Sequence, residues 1–126
     1  MKLPRVRFTV RRMMVAVAVV AVALTLDTMR NRAFTFRRIA EKHAWREDAF
    51  RSGARAILDY QRRLRIGELG EFEPRPVHPD KPNMSFDEMA EDSEQRAGYY
   101  ARLVAKYRRA ARHPWLPVAP DPPEPE

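Results

Sequence analysis

The sequence predicts an all-α protein with one membrane segment and two longer charged helices. An uncharged apolar run, MMVAVAVVAVALTL, covers residues 13–26. Residues 27–66 contain no proline and are rich in helix-forming residues. A second proline-free stretch begins near Ser85 and ends at Pro114. The apolar run has enough valine for a strand, but the chain offers no second strand-like run to pair with it, so a sheet is not expected.

Residues 1–12 form a basic arm before the apolar run. They hold five of the 24 basic residues and none of the 17 acidic ones, which leaves 19 basic against 17 acidic residues in the rest of the chain. Positive charge at this place is typical of the cytoplasmic flank of a membrane helix or of the start of a signal sequence. The net charge of +7 therefore belongs mostly to the membrane segment, and nucleic acid is not an expected partner.

The apolar run predicts a transmembrane helix over residues 13–29, with a possible start near residue 8. Residues 13–26 alone would rise only about 21 Å as a helix, whereas the hydrocarbon core of a bilayer is about 30 Å thick. The span therefore needs its neighbours, with Arg11 and Arg12 reaching back to the headgroups. Membrane lipid is thus a predicted partner of the following side chains: Met13, Val15, Val19, Val20, Leu24 and Leu26.

A cleaved signal sequence is the alternative to an uncleaved anchor. Ala21-Val22-Ala23 fits the small-residue pattern of a cleavage site. Such a site would lie inside the apolar run, which favours the anchor. A short basic arm before the span and a longer polar body after it are the usual arrangement when the N-terminus stays in the cytoplasm. We therefore predict a single-pass protein whose C-terminal body lies outside the cytoplasm.

Residues 30–66 predict a long amphipathic helix that leaves the membrane. Aromatic and apolar residues recur there at a spacing of seven: Phe36, His43, Phe50, Ile57 and Leu64. Gly67 and Gly70 are expected to end this helix. Residues 67–84 contain four prolines and predict an extended linker.

A second amphipathic helix is predicted over residues 85–112. Ser85 and Glu88 have the spacing of a capping box. Its apolar stripe consists of Phe86, Met89, Ala90, Ala97, Tyr100, Leu103, Val104, Tyr107 and Ala111. The simplest packing is a hairpin in which this stripe covers the first helix. The alternative is a coiled coil, in which each helix face serves another copy of the chain or a protein partner. The proline-rich, acidic tail over residues 113–126 is predicted to be extended and disordered.

The sequence offers no catalytic, cofactor-binding or metal-binding set, and an enzyme is not expected. Cysteine is absent, which excludes disulfides and thiolate chemistry. His43 and Glu47 share a helix face and would supply at most half of a metal site. Tyr99, Tyr100 and Tyr107 lie near arginines and could stack on nucleic-acid bases, although packing against the first helix is the favoured interpretation.

Trp115, Leu116 and Pro117 are the candidate docking residues for a partner protein. A tryptophan within a polyproline segment can anchor such a segment in a groove. Two alternatives remain open at this point: the indole ring packs back on the hairpin, or it lies at the membrane surface.

Both ends of the chain resemble small single-pass membrane proteins of planctomycete bacteria. The similar segments are RFTVRRMMVAVAVVA at residues 7–21 and, at the C-terminus, PWLPV followed by PDPPEPE. The resemblance does not extend to the middle of the chain. It implies a single helix in the bacterial inner (cytoplasmic) membrane and a charged helical body, and it transfers no activity and no functional residue.

The predicted function is therefore a structural or protein-interaction role for a membrane-anchored helical protein. Two alternatives stay open. The first is a basic adaptor at the membrane face that binds nucleic acid or anionic lipid. The second is a secreted helical protein released by cleavage near Ala23.

Overall fold

A computed structural model describes residues 10–68, 74–78 and 81–125, and within these ranges the chain forms helices and no strands. Helix α1 spans Val10–Ile66 and contains 57 residues. Helix α2 spans Phe86–Arg112 and contains 27 residues. The two helices pack against each other as a hairpin, so the predicted all-α class and the predicted hairpin are confirmed.

Helix α1 carries the apolar run and half of the hairpin in one uninterrupted element. Residues 10–29, here named the apolar segment, rise about 30 Å at 1.5 Å per residue, which is the thickness of a bilayer core. The hydroxyl groups of Thr25 and Thr28 donate to carbonyl oxygens of their own helix, Ala21 O and Thr25 O, both at 2.8 Å. These polar groups are therefore satisfied without water. The proposed earlier start near residue 8 lies outside the described residues.

Glycine ends α1 as predicted at the first of the two expected positions. Gly67 follows Ile66 with a φ of 73°, a left-handed conformation that favours glycine. Its N–H donates to Leu64 O at 3.3 Å, and the next N–H, of Glu68, donates to Arg63 O at 3.1 Å. This pair of bonds closes the helix as a Schellman motif. Gly70 lies outside the described residues.

The N-terminus of α2 is fixed by the predicted capping box. The Ser85 hydroxyl accepts from the Glu88 N–H at 3.3 Å, and the Glu88 carboxylate accepts from the Ser85 N–H at 2.8 Å. Just before it, the linker lies against α2, since the guanidinium of Arg75 stacks over the Phe86 ring at 5.1 Å. The linker also approaches α2 through His78, whose Nε2 is 3.7 Å from Asp92. The entry into α2 is therefore held by its caps and by the linker.

The hairpin core is built mainly by α2. Nine of its residues are buried: Met89, Ala90, Ala97, Tyr99, Tyr100, Leu103, Val104, Ala110 and Ala111. The buried residues of α1 are both alanines, Ala40 and Ala54, and such small side chains let the two helices approach closely. The predicted stripe is largely the buried face, but it omitted Tyr99 and Ala110.

The prediction of a disordered tail is wrong for residues 113–125. After a turn at residues 113–116, in which the Leu116 N–H donates to His113 O at 3.0 Å, residues 117–125 run back along α2. We name residues 117–125 the tail strap. An extended proline-rich chain makes no hydrogen bonds within itself. Its carbonyls and acidic side chains are therefore free to accept bonds from α2, and this contact orders it.

Candidate functional site

The apolar segment is fully exposed on the protein. Every described side chain in it is exposed except that of Met29, which is partly covered. Val15, Val19 and Leu24, for example, remain 59%, 62% and 63% accessible. It contains the one helix window in the described residues that is long and apolar enough to cross a membrane, although a signal sequence would meet the same criterion. An apolar surface of this extent needs a covering that the hairpin does not supply.

The hairpin interface contains a column of aromatic rings, which we name the aromatic ladder: Phe36, Tyr107, His43, Tyr100 and Phe50. Successive ring centroids, taken in this order, lie between 5.6 and 6.1 Å apart. The rings come alternately from the two helices. The spacing of seven residues on α1 and of seven between Tyr100 and Tyr107 places them in register. The ladder therefore fixes how far α2 slides along α1.

His43 occupies the middle of the ladder. Its ring is stacked between Tyr100 and Tyr107, and its Nδ1 is buried without a hydrogen-bond partner among the described residues. Burial lowers the pKa of His43 below its ordinary value of 6.5. The carboxylate of Asp121 opposes this shift, and the charges of Arg46 and Lys42 add to it. The imidazole is therefore neutral at pH 7, which suits a ring that is stacked between two uncharged tyrosine side chains.

This burial predicts that acid weakens the hairpin. Because the pKa of His43 is lower in the folded chain, the unfolded chain binds more protons once the pH falls below about 6.5, and the free energy of unfolding then decreases. Urea titrations of the detergent-solubilised protein between about pH 7 and pH 5 should show this decrease. His43→Phe should remove it, whereas His113→Phe, at an exposed position, should retain it. An equal slope in all three proteins would contradict the assignment.

Four polar contacts fasten the tail strap to one side of α2. Tyr107 donates to Asp121 at 2.8 Å, Tyr99 donates to Pro122 O at 2.8 Å, and Tyr100 donates to Glu124 at 2.7 Å. Lys106 also pairs with Asp121. From Asp121 to Glu124 the strap advances by three residues, while α2 advances by seven between Tyr100 and Tyr107. The two lengths match because a polyproline chain rises about 3.1 Å per residue and a helix 1.5 Å.

The contacts of the strap change the acidity of the groups involved. Burial, together with the hydrogen bond to Asp121, raises the pKa of Tyr107 to about 12. The hydrogen bond from Lys106 lowers the pKa of Asp121 against the opposing effect of burial. A lowered carboxylate pKa favours the folded chain above the ordinary value of 3.8 and loses that contribution as the pH falls further. The contacts of Asp121 therefore favour the folded chain throughout the neutral range.

The candidate docking residues lie in and after the turn between α2 and the strap. Trp115 is 57% exposed and Leu116 is 44% exposed, whereas Pro114 beneath them is buried. The indole ring contacts the exposed His113 edge to face, with centroids 5.3 Å apart. Trp115 therefore does not pack back on the hairpin, and its ring remains accessible to a partner or to a membrane.

The end of the hairpin next to the apolar segment is strongly basic. Seven exposed arginines, which we name the arginine collar, lie on the adjoining parts of the two helices: Arg30, Arg32, Arg37, Arg38, Arg108, Arg109 and Arg112. None of the seven forms an ion pair with a carboxylate in the described ranges. The first four follow the span directly in the sequence. The last three lie about 80 residues further along the chain, and only the fold brings the end of α2 to the same level.

The predicted half metal site is not assembled as one. The imidazole of His43 lies between two tyrosines, while Glu47 pairs with Arg51 at 3.0 Å. No cluster of three histidine or carboxylate side chains suited to a metal ion occurs in the part of the chain that the structure describes. Tyr99, Tyr100 and Tyr107, considered above as base-stacking residues, are occupied by the first helix and the strap.

Comparisons of the chain with models of protein families, with curated proteins and with solved structures gave no match.

Proposed function

We propose that the chain is a single-pass membrane protein that holds a rigid helical hairpin at a bacterial inner membrane, in a structural or protein-interaction role rather than an enzymatic one. The observation that carries this proposal is the continuity of α1. One helix presents a fully exposed apolar segment over residues 10–29 and then supplies half of a closed hairpin.

The exposed segment favours an anchor because nothing else in the described chain covers it. Burying an apolar side chain of this kind is worth about 1.5–3 kcal/mol relative to leaving it in water. The chain offers eleven valine, leucine and methionine side chains of this kind from Val10 to Met29. Insertion into lipid satisfies them, and the threonine hydroxyls at the end of the segment already bond within the helix.

The orientation and the membrane belong to the same proposal. The basic arm over residues 1–12 favours an N-terminus in the cytoplasm and a hairpin outside it. The resemblance of both chain ends to small planctomycete membrane proteins supports a bacterial inner membrane. A structural or docking role follows from the exposed Trp115 and Leu116, which present an apolar edge on an otherwise ordered turn.

The anchor is tested by placing charge in the middle of the apolar segment. Replacing Val19 and Val20 by Asp should release the chain from membranes washed with alkaline carbonate, because each carboxylate at the bilayer centre costs about 2.5–3.5 kcal/mol on insertion. A control with one Asp in place of Ala49, exposed on the outer face of α1, should stay bound. Release of the unaltered chain would overturn the proposal.

Cleavage and orientation are decided on the same samples. Mass spectrometry of the membrane fraction should find peptides from both sides of Ala23 in one intact chain; a mature chain that begins after Ala23 would establish a secreted protein. Protease added to spheroplasts, in which the outer membrane no longer protects the inner one, should remove a C-terminal tag if the hairpin lies outside the cytoplasm. A protected tag would establish the second candidate, an adaptor at the cytoplasmic face, which the arginine collar favours.

A further inference from the structure

We propose that the arginine collar and Trp115 bind the headgroups of anionic phospholipids in the leaflet from which α1 emerges. They would thereby hold the base of the hairpin, which is its end next to the apolar segment, on the membrane surface. This inference rests on the proposed insertion of the apolar segment.

The fold places the end of α2 at the level where the apolar segment ends. The rings of Phe36 and Tyr107 are in contact, with centroids 6.1 Å apart. Phe36 lies about 10 Å along α1 from Met29, and Arg112 lies about 7 Å beyond Tyr107 in the direction back towards Met29. Arg112 therefore stands within about one helical turn of the level of Met29. The turn that carries Trp115 follows directly.

Basic residues dominate the end of the hairpin next to the apolar segment, and the acidic residues of α2 lie at the far end. This is the distribution that binding to an anionic surface requires. Neither residues 28–40 nor residues 95–120 contain an acidic side chain. The acidic residues of α2 lie in its first half, at the far end of the hairpin: Asp87, Glu88, Glu91, Asp92 and Glu94. Two carboxylates lie near this end of the hairpin: Asp27 accepts a hydrogen bond from Asn31 at 3.3 Å, and Asp121 of the strap is paired with Lys106 and Tyr107. Each arginine near an anionic leaflet adds to the attraction, and the planar guanidinium matches a phosphate with two parallel bonds.

The base of the hairpin also has the aromatic character of a membrane interface. Arg38 stacks over the exposed ring of Phe34 at 4.9 Å, which keeps its charge close to the helix. Trp115 and Leu116 are exposed beside the collar, and tryptophan is enriched where apolar and polar layers of a membrane meet. A free anion or a nucleic acid would match the charge but would leave this apolar edge in water. Headgroups above a hydrocarbon layer match both.

The test follows Trp115 as the single tryptophan of a full-length Trp45→Phe protein, since Trp45 is exposed on α1. The protein is reconstituted in phosphatidylcholine vesicles with or without phosphatidylglycerol that carries bromine on its acyl chains. Quenching gives the association constant of phosphatidylglycerol at Trp115 relative to phosphatidylcholine. Replacing Arg108, Arg109 and Arg112 by Gln should lower this ratio roughly 100-fold. The matched control replaces Arg55, Arg62 and Arg65, exposed arginines of α1 away from the base, and should leave the ratio unchanged.

Each outcome of this experiment either supports or overturns lipid binding at the collar. A ratio near one in the parent protein, or an equal loss in both arginine triples, would overturn lipid binding at the collar. Displacement of phosphatidylglycerol by an added oligonucleotide at the same salt concentration would assign the collar to nucleic acid instead and would overturn it too. Failure of the anchor looks different, because the chain would then leave the vesicles in alkaline carbonate; that result would overturn both proposals.

Discussion

Replacing Tyr100 by Ala should cost the hairpin about 3–4 kcal/mol, the usual price of removing a buried aromatic ring. The Tyr100 ring is 3% exposed and stacks on Phe50 at 5.6 Å. Its hydroxyl accepts from Arg46 at 3.1 Å and donates to Glu124 at 2.7 Å. One residue thus joins both helices and the strap. A small domain has only about 5–15 kcal/mol of stability in total, so the loss should be visible as early unfolding.

Hydrogen exchange of the full-length protein in micelles is the measurement, because exchange reports α2 separately from the apolar segment. Amides of α2 should lose protection in Tyr100→Ala, while those of residues 13–26 should not. Tyr100→Phe keeps the ring and loses the two hydroxyl contacts, so it should cost only about 1 kcal/mol. Equal effects of the two variants would show that the hydroxyl, and not ring packing, stabilises the hairpin.

Ending the chain after Leu116 should lower the free energy of unfolding by about 2–4 kcal/mol. The strap supplies acceptors for three tyrosine hydroxyls, each worth about 0.5–1.5 kcal/mol, and its removal exposes Tyr99, which is 7% accessible in the intact chain. Exchange should rise in the second half of α2. The pKa of Tyr107, about 12 in the intact chain, should fall towards 10, which a phenolate absorbance titration measures.

A double substitution within the strap separates the loss of its contacts from the shortening of the chain. Replacing Asp121 and Glu124 by Ala keeps every residue in place and removes two acceptors, so it should reproduce part of the loss. Replacing Asp48 and Glu94, exposed carboxylates outside the strap contacts, makes the same change in charge and should have little effect. An unchanged Tyr107 titration in the shortened chain would contradict the role given to the strap.

The sequence predicted the helices well because their signals are local. The capping box at Ser85, the glycine after Ile66 and the seven-residue spacing of aromatic residues act within a few turns of one helix. The residues that take part in each of these signals could therefore be named without knowing the fold. The choice of a hairpin required only that the apolar stripe of α2 find a covering surface.

The strap and the complete collar could not be predicted in this way. Composition predicts disorder for a proline-rich acidic segment, and nothing local shows that Asp121 will meet Tyr107 fourteen residues earlier. Tyr99 was omitted from the stripe because it lies beside the face of α2 that packs on α1 and is covered partly by the strap. One clue was present in the sequence: Tyr99 and Lys106 share a helix face, and the hydroxyl and the amine on that face need acceptors.

The unbroken course of α1 has a mechanical consequence. No proline interrupts residues 10–66, so the part of the helix beyond Met29 acts as a stiff lever about 55 Å long. A change of 20° in the tilt of the apolar segment would swing the linker end sideways by about 20 Å. Bilayer thickness or tension would thereby become a large displacement at a point far from the lipid, transmitted without any joint in between.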